Sequence, residues 1–154
     1  MIVGAILTQN TLWTNVERAI RNLRLSDSLS IDGIRAAGLR ELELLVRPSG
    51  YFRQKAKRLK EFLAFIDKQY GGSLAAMLAT PTLELREELL AQKGIGPETA
   101  DSILLYAGHR PSFVLAAYTR RVLERYDAIH PKATYDMTKF EALSKTRCQP
   151  LNLA

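Results

Sequence analysis

"KGIGPETA", Lys93 to Ala100, is the stretch whose reading decides the fold. Two glycines, Gly94 and Gly96, flank the apolar Ile95, and Pro97 follows at once. Glycine reaches positive φ and has no side chain to hold a ligand away from the backbone. Proline suits the first position of a helix, where its missing N–H costs nothing. The pattern therefore predicts a tight turn that opens a helix at Pro97, with Ile95 packed between the two flanking helices. Exposed amides and the positive end of a helix dipole then meet at one point, which fits an anion such as a phosphate. Such a contact positions a protein on a nucleic acid without reading its sequence.

Outward from that turn the chain reads as helices joined by short loops. A helix from Thr82 through Ala91 leads into the turn, and one from Pro97 to Ala107 leaves it. The longest helix runs from Tyr51 to Tyr70, where Phe52, Ala56, Leu59, Leu63 and Ile66 recur at steps of three and four. Arg53, Lys57, Lys60 and Asp67 take its other face. Gly71 and Gly72 end it, and Ser73 caps the next turn. Nearer the start, Met1 to Thr8 is an apolar helix. Thr14 and Glu17 have capping-box spacing for a helix onward to Leu25, with Val16, Ala19, Ile20 and Leu23 inward. Ser30 opens a short helix to Ala37, and Arg40 to Val46 forms another. Ala117 to Tyr126 and Thr134 to Leu143 complete the set. No segment alternates as a strand, so the domain is all-α.

Composition bounds the partners. The 154 residues hold 22 Lys and Arg against 16 Asp and Glu, a formal charge of +6. That excess suits a polyanion, because each neutralised phosphate releases counterions. With 47% hydrophobic residues and no long apolar run or secretion signal, an intracellular protein is expected, cytoplasmic and nucleoid-associated in a prokaryote. The single cysteine, Cys148, excludes an internal disulfide and a cysteine-built metal site. His109 and His130 are too isolated to supply a metal centre, so none is expected.

Three segments, "GAILTQNTLWTNVERAI", "RPSGYFRQKAKRLKEFL" and "GIGPETADSILLYAGHRPSFVLAAYTRRVL", resemble the helix–hairpin–helix DNA glycosylases of the endonuclease III superfamily. The endonuclease III and 3-methyladenine-glycosylase branches are the nearest in pattern. The resemblance covers residues 1–126 and implies two helical lobes with DNA across the cleft between them. It assigns 1–126 mainly to the six-helix lobe and 127–154 to the start of an incomplete second lobe. Duplex DNA with a damaged or mismatched base is the implied partner, bound by a monomer away from any membrane. Many relatives hold a four-iron, four-sulfur cluster through four cysteines, and one cysteine predicts no cluster here.

The resemblance also assigns residues. The damaged base must leave the stack before its bond to the sugar is cut. Gln9 matches the wedge that fills the vacated space, and Asn10 would lie beside it. Lys93, Gly94, Ile95, Gly96, Glu98 and Thr99 form the DNA-binding hairpin, with Arg120 as a further contact. Lys55, Lys57, His109, Arg110 and Arg121 are additional basic candidates. Tyr118 and Trp13 either line the base pocket or simply pack.

Cleavage of the N-glycosidic bond develops positive charge on the sugar, which a carboxylate stabilises. The family carries that acid in a "VDAYTRR"-like segment, and here the match is "LAAYTRR", with Ala116 at the acid position. Loss of such a group costs roughly 10²–10⁴ in rate. The lysine that forms a Schiff base in bifunctional relatives matches Glu98, which has no amine for that step. A monofunctional glycosylase is therefore expected, with two alternatives: a DNA-binding paralogue or fragment impaired in catalysis, or an active enzyme in which alanine has replaced an aspartate. Glu98 and Asp101, three residues apart at the start of a helix, either offer a substitute acid or stabilise the dipole. Asp127 lies beyond the following helix and is a weak substitute.

Overall fold

The computed structural model describes residues 1–130 and 132–146, with side chains through Phe140. Ten α-helices follow one another among the described residues, with no strand: α1 (Ile2–Leu7), α2 (Trp13–Leu25), α3 (Ile31–Ala36), α4 (Leu39–Leu45), α5 (Phe52–Tyr70), α6 (Leu74–Ala79), α7 (Thr82–Ala91), α8 (Pro97–Tyr106), α9 (Ala117–Arg125) and α10 (Tyr135–Thr146). A 3₁₀ turn at Arg47–Ser49 precedes α5. No described helix is long and apolar enough to cross a membrane. Cys148 lies outside the described residues.

The three- and four-residue repeat of α5 places it at the centre. Ala56, Leu59, Leu63 and Ile66 are buried along its length, and α1, α3, α4 and α6 pack around it. Each such leucine contributes on the order of 1.5–3 kcal/mol on leaving water, so Leu59→Ala would cost roughly 2–5 kcal/mol. The continuous core runs from Ile6 to Leu104. Leu115, Ile129 and Ala133 are buried outside that cluster. No residue of α9 is buried.

Several helix ends follow from local chemistry. The Ser30 hydroxyl accepts from Gly33 N and the Ser73 hydroxyl from Ala76 N, capping α3 and α6. Gly71 ends α5 at φ +58°. Thr14 is not a cap: α2 begins two residues earlier than such a cap requires, with Leu12 as its N-cap. The Trp13 indole, packed beside Gly4, donates to Glu17 Oε1 at 2.8 Å and so occupies the carboxylate that a capping box needs. Gly38 is the N-cap of α4, and its N–H donates to Glu41 Oε2.

Lys55 corrects the expectation of a phosphate contact in this helix. It is 1% exposed, and its ammonium donates to Leu7 O at 2.8 Å and Ser49 O at 2.6 Å. These carbonyls end α1 and the 3₁₀ turn, so the cation serves two negative helix termini. Burial and the neighbouring Arg58 charge push its pKa down. Lys60 likewise donates to Ile34 O and Arg35 O at the end of α3.

Candidate nucleic-acid interface

α7 and α8 form the hairpin. Gly94 sits at φ +85°, a conformation that disfavours a side chain, and a Cβ there would meet Arg58 Nε at 2.4 Å. Gly96 is ordinary extended backbone, φ −90° and ψ 176°, and a Cβ there would meet nothing within 4 Å. The two glycines thus answer different demands: one the turn, the other open space above it. Ile95 is buried and its N–H donates to Gln92 O. Among the described residues the amides of Gly94, Gly96, Glu98 and Thr99 have no protein acceptor. Gly94 lies in the turn itself, and the other three stand at the N-terminus of α8, which has no side-chain cap. Unpaired donors, positive dipole and free volume together make a seat for an anion.

That seat opens on a cleft of about 2340 Å³. Gln9, Trp13, Glu98, Thr99, Ala116 and Tyr135 are among its lining residues. Ala116 is the N-cap of α9, in extended conformation with no capping side chain. Glu98 is open to solvent at the cleft mouth, yet desolvation by the surrounding walls raises its carboxyl pKa. Trp13 is 54% exposed. Tyr118 is also on the cleft, under the Arg121 guanidinium at 5.4 Å from the ring centroid. Asn10 is exposed beside Gln9 at φ +53°.

Gln9 bridges to the hairpin. Its Nε2 donates to Gly94 O at 3.0 Å and to Thr99 Oγ1 at 2.9 Å, and its Oε1 accepts from Arg58 Nη1. Other assigned residues lie elsewhere. Arg120 donates to Glu124 at 2.8 Å and to Ala133 O at 2.8 Å, a tie within the C-terminal part. Arg110 donates to Thr82 Oγ1 and Leu78 O. Lys57 lies 3.7 Å from Glu61. Lys93 is exposed beside the turn, and His109 is exposed on the cleft. Asp127 is exposed in a turn at φ +50°.

Asp101 parts from Glu98. Its side chain is fully buried and receives Arg86 Nε at 3.0 Å, Lys139 Nζ at 3.0 Å and Ser112 Oγ at 3.2 Å. It is consumed by this network, and the reading of Asp101 as a free substitute acid is corrected. Tyr135, absent from the sequence reading, accepts from Leu115 N through its hydroxyl at 3.0 Å, and desolvation strongly raises its pKa. Arg58, Arg86, Ser112 and Lys139 were equally unforeseen. Nothing in their local sequence marks partners 11–50 residues away.

A helix–hairpin–helix whose unpaired amides face a large cleft is the architecture of a DNA-lesion-processing fold. The chain belongs to the HhH-GPD superfamily of base excision DNA repair proteins, whose family model matches residues 3–148. It is 51% identical over 140 residues to a protein of Methanocaldococcus jannaschii classed with the DNA repair glycosylases, covering 90% of this chain and 64% of that one. It is 28% identical to endonuclease III of Thermotoga maritima, covering 81% and 54% respectively. The chain thus spans between half and two thirds of the length of these relatives. Among solved structures, the 3-methyladenine DNA glycosylase of H. pylori, bound to 1,N6-ethenoadenine, superposes with a TM-score of 0.85 at 33% identity. That match covers 95% of this chain and 68% of the other. An endonuclease III–DNA covalent intermediate shares the fold, with a TM-score of 0.77 at 21% identity over 93% of this chain and 63% of the other. Within these 154 residues one cysteine does not fit a four-thiolate iron–sulfur cluster.

Proposed function

We propose that this chain binds duplex DNA through the hairpin and extrudes a damaged base into the cleft, acting as a monofunctional N-glycosylase of low efficiency. The observation that carries the reading is the set of unpaired amides at the start of α8, opening into the same cleft as Glu98 and Ala116. A phosphate held there positions the strand, Gln9 fills the vacated space, and the base enters the cleft beside Trp13 and Tyr118. Relatives named as glycosylases, and an H. pylori relative bound to a modified base, support a base substrate. Glu98 offers no amine for a Schiff base, which supports hydrolysis without strand cleavage.

A second reading, DNA binding with little chemistry, is favoured by Ala116. A methyl group stands on the cleft wall where the sugar's developing charge needs a carboxylate. Incubating duplexes that carry alkylated, oxidised or deaminated bases with the unmodified chain and with Ala116→Asp separates the readings. Weak excision that Ala116→Asp strengthens supports the enzyme. Tight, salt-sensitive binding with no excision by either supports the binder, and affinity indifferent to salt overturns both.

A further inference from the structure

We propose that Arg58 sets how strongly the protein prefers a duplex with a vacated base position, by holding Gln9 on the hairpin until a gap is there to receive it. Arg58 is then a positioning residue that acts through Gln9, and the inference rests on the wedge role of Gln9 given above.

The Gln9 carboxamide has one oxygen and two N–H donors. All three groups are engaged: the oxygen by Arg58, the nitrogen by Gly94 O and Thr99 Oγ1. A side chain so satisfied gives up these bonds to enter a base stack, and intact duplex offers no equivalent in return. A vacated position does, because the orphaned partner base presents free donors and acceptors. Releasing one charge-assisted bond biases Gln9 toward the gap.

Arg58 is placed for this role. Its guanidinium lies against Gly94, the residue whose carbonyl shares Gln9. The preceding turn of α5 is fixed by the buried Lys55. Arg58 lines a separate cavity of about 170 Å³ and not the large cleft. Among the described residues no carboxylate pairs with it.

The test measures affinity of the full chain for an intact duplex and for the same duplex carrying a tetrahydrofuran abasic site. Gln9→Ala should lower the abasic-to-intact preference. Arg58→Met should raise that ratio roughly three- to tenfold, the worth of one hydrogen bond. Arg58→Lys, which keeps a donor on the stem, should return it toward the starting value. A merely structural Arg58 would shift both affinities together and leave the ratio fixed, which overturns the proposal. If Gln9→Ala leaves the preference unchanged, the wedge reading itself fails, and the holding role with it. If Gln9→Ala lowers the ratio but Arg58→Met does not raise it, only the holding role fails. Should Arg58→Met not fold, Arg58→Leu carries the same comparison.

Discussion

The Asp101 carboxylate on α8 and the Lys139 ammonium on α10 stand 3.0 Å apart, with the Asp101 side chain fully buried. Arg86 on α7 takes the other carboxylate oxygen and also reaches Asp136 of α10 at 2.7 Å. One carboxylate thereby joins both hairpin helices to the C-terminal helix. Desolvation pushes the Asp101 pKa up, but hydrogen bonds from Arg86, Lys139 and Tyr135 outweigh it and hold the carboxyl below its usual range. Asp101→Ala strands Lys139 and leaves Arg86 with Asp136 alone, and should cost about 3–5 kcal/mol in urea unfolding at neutral pH. The depressed pKa makes this stabilisation present above the unfolded-state value and lost as pH falls through the folded one. Asp101→Asn should accordingly flatten the acid limb of stability against pH.

Ala116 is a poor N-cap residue, and α9 has no side chain capping it. Ala116→Asp should therefore stabilise the protein while adding a carboxylate to the cleft. A gain of about 1 kcal/mol, or roughly 2–4 °C in Tm, is expected in thermal unfolding. A fall in Tm would mean that the aspartate does not cap α9.

The two hairpin glycines should separate folding from binding. Gly94→Ala meets both a positive φ and Arg58, so it should lower stability by about 1 kcal/mol or more and weaken DNA affinity. Gly96→Leu meets neither obstacle; as a poorer N-cap for α8 it should lower stability by no more than about 1 kcal/mol while filling the anion seat. Fluorescence anisotropy with duplex DNA, beside thermal melts, checks the pair. Equal affinity of Gly96→Leu and the unmodified chain would remove the phosphate from this seat.

Glu98 should make binding sensitive to weak acid. Its desolvated carboxyl takes up a proton more readily than an ordinary glutamate. A neutral carboxyl next to a phosphate does not repel it, so affinity should fall as pH rises through the raised pKa and level off once the group is ionised. Glu98→Gln should bind more tightly at neutral pH and remove that pH dependence in a titration series.

The helical class and the hairpin were legible because their signals are local. The apolar stripe of α5, the Ser30 and Ser73 caps and the Gly–Ile–Gly–Pro turn each need only a few consecutive residues. Thr14 misled because the cap was decided by where Trp13 packs, against Gly4 nine residues earlier. Lys55 and Lys57 look equivalent in "RQKAKRL", yet two positions on a helix turn one inward and the other to solvent. Asp101 and Glu98 share an acidic character and a helix start; only the arrival of Arg86 and Lys139 separates them. Such pairings are set by tertiary placement, which a spacing rule does not carry.

Among the described residues α9 keeps no buried side chain; Leu115 is buried just before it, and Arg120 within it reaches forward to Ala133 O. Position 116 stands between those two contacts, at the start of α9 and on the lining of the cleft. Whatever group evolution or mutagenesis installs there is aimed by Leu115 on one side and by the Arg120 tie on the other, so changes at either contact should redirect it.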